Sequence, residues 1–366
     1  MSKTKVLMAM SGGIDSSVSA ILLLEQGYEL IGVTFRAYDV PLTACNEKET
    51  GCCNFNTLIE AKQMAESLGF EHYILDIRKE FKNTIIADFK NEYLNGRTPN
   101  PCVLCNATVK WGYLLDMAKN LGCEKIATGH YARIGYDNNR YYLKKGIDYK
   151  KDQSYFLWKL SQDSLAQTIF PLGNLTKKEV REIAFQKGFE KLSKKSESQE
   201  ICFIPDNDYR KFLRENIDNY ETENPPGHFL DSQGNVVGQH RGLPNYTIGQ
   251  RKGLGISFGK RKYVYAINPQ DNTVTLGDRK DLLSTNIYIK DFVLHKYASI
   301  PENFEALIRI RYLDAGTTAE VEQCDSYIKG TFHTPVAAVT PGQSGVIYEG
   351  EDLIAGGIII HPPASN

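Results

Sequence analysis

Apolar and polar positions in the first third of the chain alternate between two periods. Lys5–Met10 is a short apolar run, and Ser16–Gln26 repeats its apolar residues at helical spacing before stopping at Gly27. Glu29–Phe35 is a second apolar run, Leu58–Leu68 is again helical and stops at Gly69, and His72–Ile77 is a third run. Val109–Asn120 has helical spacing, stops at Gly122, and is followed by the apolar Lys125–Thr128. Short strands separated by helical stretches of about 10–15 residues predict a parallel sheet with helices wound on both faces. From Asp152 to about Phe189 the spacing is helical, and Thr176 with Glu179 carries the signature of a capping box.

Past Pro205 the pattern changes. Asn224-Pro225-Pro226-Gly227 reads as a linker or sharp turn. Beyond it come short runs rich in Val, Ile, Tyr and Thr: Tyr263–Ile267, Thr273–Leu276, Phe304–Ile310, Thr317–Val321 and Ile354–Ile360. Separated by Gly, Asn and Pro, they predict β-strands in barrel-like modules. The expected architecture is α/β: an N-terminal doubly wound domain over residues 1–205, then two smaller β-rich, barrel-like domains over 206–281 and 282–366.

Composition adds limits. A chain of 366 residues is expected to hold two or three domains. With 42% hydrophobic and 24% charged residues it has material for a core and is not a disordered chain. The apolar runs Ala20–Leu24 and Ile358–Ile360 are far short of the ~20 residues of a membrane span. Met1–Lys5 offers no apolar stretch for a signal peptide, so a cytoplasmic location and no membrane partner are expected. The net charge of −1 argues against a general nucleic-acid binder but conceals local stripes. Ser232–Gln270 contains no Asp or Glu and carries Arg241, Arg251, Lys252, Lys260, Arg261 and Lys262. Lys144, Lys145, Lys150 and Lys151 form a second patch. Either patch alone reads as a solvated face; both suit phosphate contacts that weaken with salt.

The strongest motif is Ser11-Gly12-Gly13-Ile14-Asp15-Ser16-Ser17, between the first strand and the first helix. Two glycines let the backbone turn tightly and bring N–H groups to an anion. The positive end of the helix points at the same place, and three serines add hydroxyls. There is no Walker A lysine. Asp15 would repel a phosphate unless a divalent cation lies between, which assigns it to Mg²⁺ held on the phosphates. The plain alternative is a Gly-Gly turn with Asp15 or Ser16 capping the helix.

Eight cysteines occur: Cys45, Cys52, Cys53, Cys102, Cys105, Cys123, Cys202 and Cys324. In an intracellular chain of this length they are expected to be free, metal-bound or catalytic rather than paired. Gly96-Arg97-Thr98-Pro99-Asn100-Pro101-Cys102-Val103-Leu104-Cys105-Asn106 carries two. Its prolines predict an extended segment, with Cys105 just before the following helix, where a thiolate is stabilised. Cys102 and Cys105 could be half of a zinc site, but no second pair completes a standard spacing. Cys202, in Gln199-Glu200-Ile201-Cys202-Phe203-Ile204, is a distant partner or a small buried hydrophobe. The other five receive a structural reading.

The loop resembles that of the PP-loop ATP pyrophosphatase superfamily, whose signature is SGGxDS. The resemblance implies an adenine-nucleotide α-hydrolase-like fold and cleavage of ATP between its α and β phosphates. It assigns Gly12, Gly13, Asp15 and Ser16, within the Ser11–Ser16 loop that includes Ile14, to the pyrophosphate. Ala9, Met10, Phe35 and Gly129 would line the nucleotide site. Gly129 lies in Ala127-Thr128-Gly129-His130-Tyr131, at the carboxyl edge of the sheet where such folds bind ligands.

The whole series resembles the tRNA-specific 2-thiouridylases (MnmA, or TrmU in mitochondria). The PP-loop, Gly96–Asn106, Ala127–Tyr131, Lys151–Tyr155, Ile201–Ile204, Tyr246–Gly253 and Pro341-Gly342-Gln343-Ser344 follow one another in the family's order, from the first strand to the last. The resemblance implies a tRNA-uridine 2-sulfurtransferase acting on the 2-oxo position of the wobble uridine, in tRNAs for Lys, Glu and Gln. ATP and Mg²⁺ would serve as cofactors, and an upstream persulfide or sulfur-carrier protein would supply sulfur. Cys202 would carry the persulfide and Cys105 would be the nucleophile, leaving a Cys105–Cys202 disulfide to be reduced. Asn100, Pro101 and Cys102 would meet the target base. Lys151, Asp152, Gln153, Arg311, Tyr312 and Gln343 would meet tRNA, with His130 and Tyr312 able to stack on unpaired bases. Cys102 departs from the pattern, since some members have Asp there and give it a proton-transfer role. Three cysteines near one site also raise an iron–sulfur cluster held by Cys102, Cys105 and Cys202. A monomer is expected. The competing classes are another PP-loop ligase, which leaves Cys105 and Cys202 without a purpose, and a non-enzymatic RNA-binding protein.

Overall fold

The computed structural model describes residues 3–39, 55–194, 201–256 and 259–363. Cys45, Cys52 and Cys53 lie outside these. The chain forms two compact units. One comprises Met1–Ile85, Cys102–Asn207 and Glu351–Leu353; the other comprises Ile86–Pro101, Asp208–Gly350 and Ile354–Asn366.

In the first unit, β1 (Lys5–Ala9), β2 (Glu29–Arg36), β3 (Glu71–Asp76), β4 (Lys125–Ala127) and, after a hairpin, β7 (Thr168–Ile169) form a parallel sheet of order β3-β2-β1-β4-β7. Val6, Leu7 and Met8 are buried on successive positions, as expected of a central parallel strand covered on both faces. The helix Ile14–Glu25 places Ala20 and Leu23 with Val6 and Met8 in one core; Val18 and Ile14 join Tyr131, Leu172 and Val180 in another. The chain leaves β1 on one side to make β2 and β3, and on the other to make β4 and β7. β1 is therefore the switch point of the sheet, and the loop at its carboxyl end is where this topology opens a crevice.

Two regions differ from the sequence pattern. The hairpin β5 (Ala132–Asp137) and β6 (Arg140–Lys145) lies in a stretch for which no element was expected. Its turn uses Asn138 and Asn139, both at positive φ, the two-residue geometry that matches strand twist. Asp152–Phe189 is not one helical stretch. It holds a short 3₁₀ turn at Ser154–Phe156, the helix Gln162–Ala166, strand β7 and the helix Lys177–Gln186. The capping box forms as expected: Glu179 N–H donates to Thr176 Oγ1 at 3.3 Å, and Thr176 N–H donates to Glu179 Oε2 at 2.6 Å.

In the second unit, β8 (Gly227–Leu230), β9 (Val236–His240), β10 (Tyr263–Asn268) and β11 (Thr273–Gly277) form a sheet of order β10-β11-β8-β9. They are followed by β12 (Leu283–Leu294), β13 (Phe304–Arg309), β14 (Thr317–Gln323), β15 (Ile328–Ala337), β16 (Ser344–Glu349) and β17 (Asp352–Ile360). The order β12-β15-β14-β13-β16-β17 closes by pairing β17 with β12, giving a six-stranded barrel. Its core is built from alternate residues such as Ile287, Ile289, Ile308, Val321, Ile347 and Ile359. All five runs read as strands in this half are strands; β8, β9, β12, β15 and β16 were not anticipated.

Candidate active site

The phosphate loop is built by its own side chains. Gly12 adopts φ +68°, and a Cβ there would stand 2.5 Å from the Thr57 carbonyl oxygen, so only glycine fits. Gly13 caps the helix without a side chain. Ser16 Oγ accepts from Ser11 N–H at 3.2 Å and donates to the Gly13 carbonyl at 3.1 Å; Ser17 Oγ donates to the same carbonyl at 3.0 Å. Two of the serine hydroxyls expected to face a phosphate instead fold the loop. The groups left to meet an anion are the first N–H groups of the helix, which have no intrahelical acceptors. A cleft of about 610 Å³ opens beside the loop, lined by Gly12, Ser17, Glu60, Gln63, Ser67 and Lys191 among others.

Met10 is buried, and its sulfur would lie 3.1 Å from a Cβ on Gly32; Ala9 and Phe35 are half-buried on β1 and β2. Ile14 points its side chain into the core. Gly129 makes a close approach within the protein: a Cβ there would stand 2.9 Å from Asp15 C and Ser16 N. The Ala127–Tyr131 run therefore lies directly on the phosphate loop.

Asp15 is held by two residues that sequence reasoning missed. Lys177 Nζ lies 2.8 Å from Asp15 Oδ1 and 2.9 Å from Oδ2, and Tyr131 donates its hydroxyl to Oδ1 at 2.7 Å. The Tyr131 backbone is in turn bound at both ends by Gln153: Tyr131 N–H donates to Gln153 Oε1 at 3.0 Å, and Gln153 N–H donates to the Tyr131 carbonyl at 2.9 Å. Tyr131 belongs to a run already singled out, but nothing in the sequence marks its hydroxyl. Lys177 was visible only as the residue after the capping threonine.

The cysteine segment corrects the sequence reading. Helix begins at Pro101 and runs without interruption: α over Pro101–Leu104, a π-helical turn over Cys105–Lys110, and α over Trp111–Asn120. Proline suits a first helical position, where no N–H bond is required and φ is already set. Cys102, not Cys105, occupies the first turn, and Cys105 is buried at the start of the π turn. Such turns insert an extra residue and are frequent at functional sites. Cys202 is half-buried in a turn closed by Ile204 N–H to the Ile201 carbonyl at 2.9 Å. Its neighbour Phe203 is fully buried and packs edge-on against Phe81 at 5.7 Å and Tyr38 at 6.3 Å between ring centroids. Phe81 ends the helix Arg78–Phe81, which lies against the π turn. Phe203 thus anchors the Cys202 turn to an element that also touches the Cys105 segment.

Among the described residues no three His, Cys, Asp or Glu side chains gather into a metal-holding group. Cys102, Cys105 and Cys202 are not arranged as one. Cys123 is a buried thiol whose pKa is pushed up by desolvation; Cys324 is half-buried on the barrel.

The residues expected to meet RNA fall into two kinds. Asp152 is buried, and its Oδ1 accepts from Gly146 N–H at 3.2 Å and Ser154 N–H at 3.1 Å, so it shapes the loop between Lys151 and Gln153. His130 packs beside Trp111 and Phe170 with Nδ1 2.8 Å from Thr128 Oγ1; loss of hydration, aided by Lys110, pushes its pKa down to about 3. It is a neutral ring at physiological pH. In the second unit Gln343 Nε2 donates to the Thr98 and Pro99 carbonyls at 3.0 and 2.9 Å, and Thr98 N–H donates to the Pro341 carbonyl at 3.0 Å. The Pro341–Ser344 turn therefore holds the segment leading into Asn100 and Pro101. Arg311 is exposed and Tyr312 half-buried at a loop tip after β13, with Arg311 donating to the Ala337 carbonyl. Arg241, Arg251, Lys252, Lys260 and Arg261 are exposed, while Lys260 and Lys262 share Asp278. Lys144 pairs with Asp352 at 3.0 Å.

A parallel sheet with an SGGxDS loop at its switch point, its aspartate held by Lys177 and Tyr131, gives this chain the layout of the PP-loop class. Residues 4–206 match the family described as tRNA methyl transferase HUP domain, residues 211–278 its PRC-barrel domain, and residues 284–359 the aminomethyltransferase beta-barrel domain. A protein of Amoebophilus asiaticus named tRNA-specific 2-thiouridylase MnmA is 50% identical over 98% of this chain and 96% of its own length. Proteins of the same name from Cytophaga hutchinsonii and Salinibacter ruber are 48% and 47% identical, each over 98% of this chain and over 97% and 94% of their own lengths. The chain belongs to the tRNA-specific 2-thiouridylase family.

Proposed function

We propose that this protein is a tRNA-uridine 2-sulfurtransferase. It uses ATP to activate the 2-oxygen of the wobble uridine and then replaces that oxygen with sulfur. The observation that carries the reading is the common anchoring of both cysteine segments: Phe203 beside Cys202 packs on Phe81, whose helix touches the turn beginning at Cys105. The same unit holds the phosphate loop and Asp15.

The chemistry follows in two steps. The uridine 2-oxygen attacks the α phosphorus of ATP, and pyrophosphate departs toward the N–H groups at the start of the Ile14–Glu25 helix. The adenylated oxygen is then a good leaving group. The Cys105 thiolate attacks the inner sulfur of a persulfide on Cys202, forming the Cys105–Cys202 disulfide and releasing hydrosulfide. Hydrosulfide adds at C2, AMP leaves with the former carbonyl oxygen, and loss of a proton gives the 2-thio product. An external thiol reduces the disulfide, and a sulfur-carrier protein restores the persulfide.

Asp15 fits a magnesium ion. Lys177 and Tyr131 both donate to Oδ1, whereas among the described residues Oδ2 receives only Lys177 and keeps a lone pair for a hard cation. Magnesium would offset phosphate charge there. An iron–sulfur cluster has no three-cysteine arrangement to rest on among the described residues, and no step is derived through it. For RNA we assign Asn100, Pro101 and Cys102 to the target base, Tyr312 to an unpaired base, and Lys151, Arg311 and the exposed basic residues of 241–261 to phosphates. Asp152, Gln153 and Gln343 set the loops that present them. The three sequence domains, a monomeric state and a cytoplasmic setting belong to the same reading. No helix among the described residues is long and apolar enough to cross a membrane.

The test is mass spectrometry of tRNA nucleosides after incubation with ATP, Mg²⁺ and a persulfide source. Appearance of 2-thiouridine only with ATP supports the reading. ATP turnover that is indifferent to tRNA, with no thiolated nucleoside, overturns it.

A further inference from the structure

The two steps above make no use of Lys177. Its side chain is only 10% exposed, and its ammonium meets both oxygens of Asp15. The ring of Tyr131 lies beneath it, with the centroid 5.8 Å from Nζ. Its backbone N–H, at the first position of the Lys177–Gln186 helix, donates to Asp148 Oδ2 at 2.9 Å. A buried lysine is seldom left unpaired, and this one is fixed at both its main chain and its tip. The partner is a carboxylate one residue from the start of the phosphate-binding helix. Unpaired, that carboxylate would face the incoming polyphosphate with the wrong sign at short range.

We propose that Lys177 is a positioning residue of the ATP site, which neutralises and aims Asp15 so that the phosphate loop accepts a polyphosphate. Lys177 acts through Asp15 rather than on the substrate. When a divalent cation joins Asp15, part of the neutralising task passes to the cation. The inference rests on the ATP reading of the loop.

The experiment is equilibrium binding of ATP to the full chain, in EDTA and in excess Mg²⁺, with thermal unfolding as a parallel readout. K177M is expected to bind ATP at least tenfold more weakly than the parent protein in EDTA, with the gap narrowing to about threefold in Mg²⁺. D15N/K177M, which lacks the lone carboxylate, is expected to recover to within about threefold of the parent in EDTA. K177R keeps the charge and is expected to stay within a few-fold. Equal losses for K177M in both conditions, or a double variant no better than K177M, would overturn the proposal. If K177M does not fold, K177R and the double variant decide, and a tenfold loss in either overturns it. Failure of the parent protein to bind ATP in either condition would instead overturn the ATP reading itself.

Discussion

The phosphate loop and the cysteine segment both lie at the start of helical runs, and they are held by contacts of very different reach. The loop is closed by contacts among residues within six positions of one another: Ser11 to Ser16, Ser16 and Ser17 to Gly13. Its conformation is thus written locally, and the two glycines and the following helix reveal it. The cysteine segment takes its form from remote partners. Asn106, next to Cys105, is buried and donates to the Phe156 carbonyl at 3.0 Å, while Cys202 is located through Phe203 and Phe81. Short-range chemistry shows in a sequence; a site assembled from distant contacts shows only as an unexplained residue.

The contrast predicts a split phenotype, which is also the largest effect expected. Asp15→Ala should abolish tRNA-dependent pyrophosphate release and thiolation together. Cys105→Ala should lower thiolation by more than about 10³-fold, the loss of a nucleophile, while pyrophosphate release stays within a few-fold. Loss of both activities in Cys105→Ala, read by parallel pyrophosphate and nucleoside assays, would make that cysteine structural. Next in size, Gly12→Ala places a Cβ against the Thr57 carbonyl at positive φ and should cost about 1–3 kcal/mol in chemical denaturation, with ATP binding lost. Gly342→Ala has φ +90° and a Cβ 2.8 Å from the Thr98 carbonyl oxygen. It should cost a similar amount of stability yet spare ATP binding while reducing thiolation by about tenfold; ATP binding lost along with it would erase the distinction between the two regions.

Smaller effects test the inward-facing residues. Asp152→Asn keeps an acceptor for Gly146 and Ser154 and should shift stability by less than about 1 kcal/mol, whereas Asp152→Ala should cost about 1–3 kcal/mol in the same denaturation series. His130 has its folded pKa depressed to about 3 by burial, below the ordinary value of 6.5. The unfolded chain therefore binds the proton first on acidification. The stability His130 contributes is fully present above pH 6.5 and is lost as pH falls toward 3. His130→Phe should flatten that part of the stability–pH curve; an unchanged slope would show that the ring is hydrated.

The sequence pattern found β1 to β4 of the parallel sheet because each is a short apolar run and three of them follow a helix closed by glycine, at Gly27, Gly69 and Gly122; it missed β7, which is only two residues long. It missed β12, β15 and β16, where alternation is broken by bulges, as between Ser284 and Asn286, or by glycines packed against Ile289 and Ile308. At the site, the Gly-Gly loop, Asp15 and the Ala127–Tyr131 run were readable from residue type and position. Lys177 was not, because a lysine at the first turn of an amphipathic helix ordinarily faces water. Cys105 was placed before its helix because Pro101 reads as a breaker from one side and as a starter from the other.

The bonds from Gln343 and Pro341 to Thr98 and Pro99 have a consequence for how the chain comes into being. The stretch immediately ahead of Cys102 is synthesised well before its supports, since Thr98 and Pro99 precede Gln343 by 245 and 244 residues. A nascent chain can complete the short-range bonds of its phosphate loop while that stretch still lacks its partners. Only when Gln343 has been made is that stretch fastened, so a product truncated near residue 340 would keep the phosphate loop and both cysteine segments yet lack the bonds that hold Thr98 and Pro99.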